Sequence, residues 1–285
     1  MPSINEIKKK IKIIESTKKI TNAMKLVATS KMKKYKDYLF ASHEFCGNFY
    51  DAFSFLGSNI DQLKNNCEKE ITLWIVFTSS IGLCGSYNLN VIKSLQHKIG
   101  ENDLIFLIGK KGYQILKTKL PNFNLYLNID REEKNFTFLL FLELSHLILD
   151  DYKNGKFKYV KILYTNFVNS ICFKNDVFSI IPIDDKISGR LTPPVDGSYF
   201  IAEPNKSELF NKLIYFYFAV AIYGSYIESK VSENATRRNS MDSATKNAND
   251  LVNSYKIKFN SVRQSKITQE INEIVSGSNV GENSE

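Results

Sequence analysis

Residues 207–277 of the chain read SELFNKLIYFYFAVAIYGSYIESKVSENATRRNSMDSATKNANDLVNSYKIKFNSVRQSKITQEINEIVSG. The stretch contains no proline, and Gly224 is its only glycine before the last residue. A helix of roughly 70 residues is on the order of 100 Å long, whereas a compact domain made from this chain would be only about 40 Å across. The sequence therefore predicts a helix that leaves the globular body. Its apolar residues recur at spacings of three and four, as on one face of a helix: Leu209, Leu213, Tyr217, Val220, Ile227, Val231, Met241, Ala244, Ala248, Val252, Tyr255, Phe259, Val262, Ile271 and Ile274.

The N-terminal residues have the same character. From Ser3 to Leu56, Gly47 is the only glycine and there is no proline. Ser3 and Glu6 have the spacing of a capping box at the start of a helix. The apolar residues again predict a helix with one apolar stripe: Ile4, Ile7, Ile11, Ile14, Ile20, Met24, Val27, Tyr35, Tyr38, Phe45, Phe49, Phe53 and Leu56.

The two end helices are expected to pack on each other, because a protruding helix needs a partner for its apolar stripe. We predict an antiparallel coiled coil, since both helices would then grow from one central domain. Ile11, Ile14 and Val27 are expected to face the segment Met241–Ile271. The predicted divisions are an N-terminal helix over 1–58, a central domain over 68–200, a C-terminal helix over 205–276 and a polar tail over 277–285.

In the central residues, the spacing of apolar side chains is no longer that of one long helix. Strands and helices alternate there, which predicts a Rossmann-like α/β domain with a largely parallel sheet. The Gly- and Pro-containing segment Asp184–Ser198 is expected to be a surface loop. The predicted strands are Glu70–Ser79, Asp103–Gly109, Tyr159–Phe167 and Val177–Ile183, and the predicted helices are Ser86–Ile99, Lys110–Leu120 and Asn135–Asp151.

The composition is that of a globular protein with a basic surface. There are 38 basic and 30 acidic residues in 285, a net charge of +8, which favours an acidic partner. The four cysteines are scattered, so neither structural zinc nor a disulfide framework is expected, and a reducing compartment fits best. The N-terminus lacks the apolar core of a signal peptide. The longest apolar runs fall short of the ~20 residues of a membrane span.

A short glycine-containing turn, Gly82-Leu83-Cys84-Gly85, lies between a predicted strand and a predicted helix. Nucleotide-binding folds place a phosphate loop there, but the turn fits none of the phosphate-loop patterns, so a tight turn is the better interpretation. Cys84 at a helix N-terminus has the location of a reactive thiol. The sequence places no histidine beside it to act as a base, which favours a packed small residue.

The predicted N-terminal helix has a basic face. Between Lys8 and Lys36 there are eleven lysines and one acidic residue, Glu15. Three interpretations stay open. The lysines could contact nucleic-acid phosphates, although base recognition relies more on arginine, which the segment lacks. They could form a solvated helix face. They could also slide over an acidic protein collar.

Both ends of the chain resemble one family. Residues 267–277 (ITQEINEIVSG) and 20–32 (ITNAMKLVATSKM) look like the terminal motifs of the gamma subunits of F-type ATP synthases. GLCGSYN at 82–88, Glu203-Pro204 and SMDSATKNA at 240–248 follow in the family's order and spacing. The resemblance covers the whole chain.

The resemblance implies a central rotor shaft with no catalytic site and no cofactor. The terminal coiled coil would stand in a ring of alpha and beta subunits that binds and hydrolyses ATP. The globular domain would lie near the epsilon subunit and the membrane rotor ring, on the cytoplasmic face of the cell membrane, and no nucleic acid would bind. The partner contacts that the resemblance implies are Met24, Lys25, Arg237, Arg263, Gln264, Gln269, Glu270 and Glu203.

The sequence departs from the family pattern in two places. The residues after Gly277 are polar and acidic, where the family often has small apolar ones. Phe200 and Ala202 flank Ile201 where the family often has tyrosines, in a stretch that faces the membrane ring. These departures leave one alternative open: a gamma subunit of an F-type-like ATPase that drives a process other than proton transport.

Overall fold

The computed structural model describes residues 3–55, 67–130, 136–170, 172–182, 203 and 205–282. In these residues the chain divides into two compact units. The first, Met1–Val27 with Arg238–Glu285, is referred to below as the helical pair. The second, Ala28–Arg237, is the globular unit. The predicted loop Asp184–Ser198 and the segment Phe200–Ala202 lie outside the described residues.

The elements follow the predicted alternation. In chain order they are α1 (Ile4–Phe55), β1 (Thr72–Phe77), α2 (Tyr87–Gln96), β2 (Leu104–Ile108), α3 (Lys110–Lys119), β3 (Asn124–Ile129), α4 (Phe138–Lys153), β4 (Tyr159–Phe167), β5 (Phe173–Ile181) and α5 (Lys206–Glu282). The mixed α/β fold with long terminal helices is thus confirmed.

A five-stranded sheet of order β3-β2-β1-β4-β5 is the centre of the globular unit. Its first four strands are parallel, and β5 pairs antiparallel with β4 at the edge. The prediction of a largely parallel sheet is therefore confirmed. The strand β3 was not predicted, and β5 begins at Phe173, four residues before the predicted start at Val177.

The side chains of β1 alternate between two cores, as a strand that is buried on both faces requires. Leu73, Ile75 and Phe77 pack with α1, α4 and α5 on one face of the sheet. Trp74 and Val76 pack with α2 and α3 on the other. The sheet is covered on both faces, and the larger core lies on the side of the long helices.

In the globular unit, α1 and α5 pack through aromatic side chains. Phe53 stacks on Tyr217 with ring centroids 4.9 Å apart and on Phe210 at 5.4 Å. Tyr50 meets Tyr217 edge-on at 5.9 Å. Aromatic pairs of this kind contribute beyond the area that they bury, so this cluster joins the chain's two ends inside one core.

In the helical pair, α1 and α5 run antiparallel. The α1 residues Lys8, Glu15, Lys18 and Lys25 contact Phe259, Lys256, Asn249 and Asp242 in turn. Residue numbers therefore fall along α5 as they rise along α1. The helix α1 begins with the predicted capping box, in which Ser3 Oγ accepts from the Glu6 amide and Glu6 Oε2 accepts from the Ser3 amide, both at 3.2 Å. The predicted antiparallel coiled coil is confirmed.

The residues that face the seam differ from those predicted. Ile7, Ile11 and Ile14 are buried or half-buried, but Ile20 is 63% and Val27 is 51% exposed, whereas Ala28 is 1% exposed. The inward positions of α1 repeat strictly at spacings of three and four, which is the coiled-coil heptad. Met241, Ala248 and Val252 are the buried apolar residues on the facing side of α5.

The C-terminal helix also extends farther than predicted. It was predicted to end at Ser276, but it continues through Gly277 to Glu282. Glycine inside a helix costs only about 1 kcal/mol relative to alanine, and no proline follows to stop the helix.

Candidate coupling surfaces

Three consecutive polar layers cross the seam of the helical pair. Lys18 Nζ donates to Asn249 Oδ1 at 2.7 Å, and Thr245 Oγ1 donates to Thr21 Oγ1 at 2.9 Å. In the third layer, Lys25 Nζ lies 2.6 Å from Asp242 Oδ1. Before these layers on α1, Ile14 is half-buried. Polar groups in a coiled-coil seam specify the register at a cost in stability, so these layers fix how the two helices align.

The Asp242 carboxylate is shared by two lysines. Its other oxygen lies 3.1 Å from Lys246 Nζ, one turn farther along α5. The hydrogen bonds from Lys25 and Lys246 hold the pKa of Asp242 below its usual value. Lys25, one of the implied partner contacts, is thereby engaged inside the chain. Met24, beside it, is half-buried.

Beyond Val262, the residues of α5 are exposed on all sides through Val275. Arg263 and Gln264 both point to solvent. Of the other implied contacts, Gln269 Nε2 donates to Glu273 Oε1 at 2.9 Å, and Glu270 lies 3.6 Å from Lys266. Isoleucines on this stretch are also exposed. A helical end with apolar side chains that no described part of the chain covers has the character of an interaction surface.

Arg237 is placed differently from the expectation of a partner contact. It is buried, and its guanidinium is surrounded by acceptors of the globular unit. Nη2 donates to Glu233 Oε1 at 2.8 Å and to the Ile81 carbonyl at 2.9 Å, and Nε donates to the Gly82 carbonyl at 3.3 Å. The rigid fork of donors on arginine suits such a set. Arg237 therefore ties α5 to the turn after β1, and its contact with a partner stays a prediction.

Glu233 also forms an ion pair with a second basic side chain. Lys230 Nζ lies 2.8 Å from Glu233 Oε2, and both side chains are buried. Asn234 accepts from Arg237 Nη1 at 3.2 Å and donates to the Lys230 carbonyl at 2.8 Å. Buried charges are tolerated when they are paired and hydrogen-bonded, as these are. Sequence reasoning missed this cluster, although a run of polar residues (ESKVSENATRR) within a helix that is otherwise buried was a visible signal.

The crevice where doubly wound sheets bind ligands is filled by α5. The chain order reverses between β1 and β4, and ligands of such folds bind outside the carboxyl ends of those strands. Here Ser229 Oγ accepts from the Thr165 amide at 3.2 Å, and Ser232 Oγ donates to the Thr165 carbonyl at 3.0 Å. Tyr87 donates to the Ser229 carbonyl at 3.4 Å. Side chains of α5 thus bond to the end of β4, beside the place where such folds bind a ligand.

The Gly82–Gly85 turn has the structure of a tight turn, as its sequence indicated. Asn88 holds it together, accepting from the Ser79 amide at 2.9 Å and donating to Ser79 Oγ at 2.7 Å and Cys84 Sγ at 3.3 Å. Cys84 is buried, and its hydrogen-bond partners are Ser79 and Asn88. No base stands beside its sulfur among the described residues.

An apolar groove of about 340 Å³ opens on the globular unit where α1, α4 and α5 meet. Burial raises the pKa of the Cys46 thiol, which lines it, to about 11, so the thiol stays protonated at neutral pH. Its other lining residues include Tyr38, Phe45, Phe138, Val220 and Tyr223.

In the described part of the chain, no three acidic, histidine or cysteine side chains are grouped to hold a metal ion. Nor does any described helix have the length and apolarity to cross a bilayer. Glu203, the remaining implied contact, is exposed.

Comparison with known proteins identifies the family. The family model described as ATP synthase matches residues 3–280. The ATP synthase gamma chain of Malacoplasma penetrans is 48% identical over 283 residues, covering 97% of this chain and 99% of that one. That of Ureaplasma urealyticum is 43% identical over 287 residues, with the same coverage of both chains. The chain belongs to the ATP synthase gamma family.

Solved structures show the same fold. A chain of the Euglena gracilis mitochondrial ATP synthase (OSCP/F1/c-ring, rotational state 3) matches with a TM-score of 0.68 at 16% identity, over 97% of this chain and 94% of that one. A chain of the Tetrahymena thermophila mitochondrial ATP synthase (central stalk/c-ring) matches with a TM-score of 0.60 at 24% identity, over 79% and 99%.

Membership of the ATP synthase gamma family confirms the function predicted from the resemblance. The chain is the central rotor subunit of an F-type ATP synthase, and it couples ATP synthesis or hydrolysis to rotation and ion transport. The alternative of an ATPase that drives another process is not favoured, since the full-length relatives are ATP synthase gamma chains.

Proposed function

We propose that this gamma-family chain carries no catalytic chemistry and acts as a mechanical element between partners. One observation carries the proposal: the crevice of the α/β sheet is filled by Ser229, Ser232 and the charged cluster of α5. A protein that bound and hydrolysed nucleotide there would need that space. The chain's action is then a coupling free energy transmitted by a rigid element between distinct states of its partners.

The helical pair is proposed to stand within a ring of alpha and beta subunits. Its support is the exposed C-terminal stretch, where Arg263 and Gln264 are free to reach outward from α5. Arginine offers a planar fork of donors to a carboxylate, and glutamine adds a neutral donor and acceptor beside it. Contacts of this kind can form and break in each rotary step.

The globular unit is proposed to bind the epsilon subunit at the apolar groove. The groove combines exposed aromatic side chains, Tyr38 and Phe45, with a floor of α5 residues. Exposed apolar surface of this kind marks a protein interaction site, and protein interface cores are enriched in aromatic residues. Docking to the membrane rotor ring, and with it a peripheral place on the cytoplasmic face of the cell membrane, is part of the same proposal.

The experiment that tests this function is reconstitution from the purified full chain and the alpha and beta chains. The chain alone should show no ATPase activity, and the mixture should form a complex whose ATPase rate depends on the chain. Turnover by the chain alone, surviving repeated purification, would contradict the proposal. Tight nucleotide binding or salt-sensitive DNA binding by the isolated chain would contradict it equally.

The double variant Arg263→Ala with Gln264→Ala sharpens this test. Both side chains are exposed, so the melting temperature should stay within the small range typical of surface changes. The ATPase rate or coupling of the assembled complex should change. Glu208→Ala with Lys212→Ala removes an exposed pair from α5 in the globular unit and serves as the matched control. A normal rate in the Arg263/Gln264 variant, or its failure to assemble, counts against the assignment.

A further inference from the structure

The two helices that cover one face of the sheet, α2 and α3, are basic. They contain five lysines, one in α2 and four in α3, and no acidic residue. The helix α4, which packs on the opposite face of the sheet, contains three acidic residues and one lysine. The surface formed by α2 and α3, called the α2–α3 face below, therefore differs in sign from the helix across the sheet. Such an uneven charge distribution favours a partner of opposite charge.

The positive charge of the α2–α3 face is largely uncompensated within the chain. Lys110 Nζ lies 3.9 Å from Asp130 Oδ2, at the limit of an ion pair. Lys111 Nζ donates to the neutral Gln114 Oε1 at 3.3 Å. The other three lysines are exposed and form no ion pair with any described residue: Lys93, Lys117 and Lys119.

Helix stability does not explain all of these lysines. Lys117 and Lys119 stand in the last turn of α3, where the helix dipole favours positive charge. Lys110 and Lys111 stand in the first turn, where the dipole disfavours positive charge and where α3 has no acidic residue. Natural proteins break such local rules mainly at functional sites. The pair at the start of α3 therefore points to a contact outside the chain.

The α2–α3 face has no apolar anchor. In the described residues 87–124, no large apolar side chain is exposed. The core of a protein interface usually contains aromatic and other apolar anchors. Base recognition in nucleic acids relies on arginine, which α2 and α3 lack. An anionic membrane surface requires neither, because it attracts each lysine that comes within a Debye length through charge alone.

We propose that the α2–α3 face lies against the anionic headgroups of the membrane and is held there by electrostatic attraction, without insertion. This rests on the proposed function, which places the globular unit near the membrane rotor ring. Attraction by charge alone keeps the unit close to the surface and leaves it free to move along that surface, as rotation requires.

The test is co-flotation with vesicles of the complex reconstituted from the full chain and the alpha and beta chains. The vesicles contain phosphatidylcholine with about one quarter phosphatidylglycerol, or phosphatidylcholine alone. The complex should bind the anionic vesicles in preference to the neutral ones, and less so as salt shortens the Debye length. The α3 variant replaces four lysines with glutamine, which keeps a high helix propensity: Lys110→Gln, Lys111→Gln, Lys117→Gln and Lys119→Gln. Its affinity for the anionic vesicles should fall roughly tenfold or more.

The matched control removes the same charge from the rest of the globular unit. It replaces four exposed lysines that lie outside α2 and α3: Lys69→Gln, Lys153→Gln, Lys174→Gln and Lys212→Gln. Its affinity should stay within about twofold of the wild type, since its lysines lie outside the contact. An equal loss in the control, or equal binding of the wild type to both kinds of vesicle, would overturn the proposal. Binding to duplex DNA that is tighter than binding to the vesicles and is lost in the α3 variant would overturn it as well.

Assembly is measured separately from vesicle binding. Substitutions of surface lysines should leave the melting temperature and assembly near those of the wild type. If the α3 variant fails to assemble, Lys117→Gln with Lys119→Gln takes its place, with an expected loss of roughly fivefold or more. A wild-type chain that fails to assemble with alpha and beta contradicts the proposed function. An assembled complex without preference for anionic vesicles contradicts this inference alone.

Discussion

The helix α5 serves two different environments along its length. From Tyr217 to Ile222, within the globular unit, six consecutive residues are buried, so that this part of the helix is enclosed on all sides. From Met241 to Val252, in the helical pair, burial is confined to Met241, Ala248 and Val252. The first part is a core helix and the second is one side of a seam. The same secondary structure therefore owes its stability to a large core in one unit and to a narrow stripe in the other.

The helix α1 shows the same contrast between an apolar core in the globular unit and a narrow seam in the helical pair. In the globular unit, Tyr50 and Phe53 stack in an aromatic core against α5. In the helical pair, Lys18, Thr21 and Lys25 face polar partners across the seam. We infer that the globular unit carries most of the fold's stability, whereas the polar layers of the helical pair fix its register. Substitutions in the two regions should then differ in size.

The largest effect is expected in the globular core. Phe218→Ala removes a fully buried aromatic ring and leaves a cavity, which should cost about 3–5 kcal/mol of unfolding free energy. Urea unfolding followed by the fluorescence of Trp74, the chain's single tryptophan, reports this unit.

The control lies two residues away on the same helix. Phe216 is 40% exposed, so Phe216→Ala should cost less than about 1 kcal/mol. Equal losses at the two positions would mean that α5 is not enclosed as described, and the comparison between the two parts of the helix would fail.

The next effect concerns the charged cluster. Arg237→Met keeps the bulk of the side chain but leaves Glu233 with Lys230 alone and two turn carbonyls without their donor. Losing one partner of a buried ion pair costs about 3 kcal/mol or more. The same unfolding measurement should show this loss, together with faster proteolysis near Gly82. Arg238→Met, at the half-buried neighbour whose guanidinium bonds to Asn239, is the control and should stay near the wild type. A fully stable Arg237→Met chain would remove Arg237 from its role as a clamp.

The sequence predicted the elements whose pattern is local. The strand over Tyr159–Phe167 has the bounds that were predicted, and Val160, Ile162 and Leu163 give it a buried apolar centre. The edge strand over Asn124–Ile129 was missed, since its first residues are exposed and only Ile129 is buried. Edge strands give weak apolar signals because one side of the ladder faces solvent.

The sequence misplaced what depends on distant partners. The apolar stripe suggested Val27, whereas the seam of the helical pair follows Lys18, Thr21 and Lys25, which are polar and so carry no apolar signal. These residues belong in the seam because Asn249, Thr245 and Asp242 face them. Likewise, the acceptors of Arg237 at Gly82 and Ile81 lie 155 and 156 residues away in the chain. The family resemblance supplied the rotor function, but no local pattern could show that this arginine is buried.

A smaller effect is the dependence of the globular unit's stability on pH. Burial raises the pKa of Glu228 to about 7, with Asp176 adding to the rise and the Phe167 amide opposing it. Because the folded-state pKa lies above the value of 4.5 for the free side chain, the folded state binds more protons in between. The chain should therefore lose stability as pH rises from about 4.5 to 7, by up to about 3 kcal/mol.

The variant Glu228→Gln isolates this contribution, since glutamine stays neutral and keeps an oxygen for the Phe167 amide. It should match the wild type near pH 5 and exceed its unfolding free energy at pH 8. Glu101→Gln, at an exposed glutamate, is the control and should follow the wild type at both pH values. An equal response of the Glu228→Gln chain and the wild type to pH would remove Glu228 as its source.

The smallest effect tests the polar seam of the helical pair. Thr21 and Thr245 are hydrogen-bonded to each other, and each hydroxyl also bonds a carbonyl of its own helix, Lys18 O at 3.1 Å and Met241 O at 2.7 Å. Replacing one of two bonded partners leaves the other hydroxyl without its cross-helix bond, whereas replacing both with groups of the same shape is close to neutral. Thr21→Val alone should therefore cost roughly 0.5–1 kcal/mol, and Thr21→Val with Thr245→Val should recover most of that loss. The four chains of the double-mutant cycle, followed by helical circular dichroism during thermal unfolding, yield the coupling energy between the two sites. If the two single losses simply add in the double variant, the hydroxyls do not interact across the seam, and register must come from the Lys18 and Lys25 layers alone.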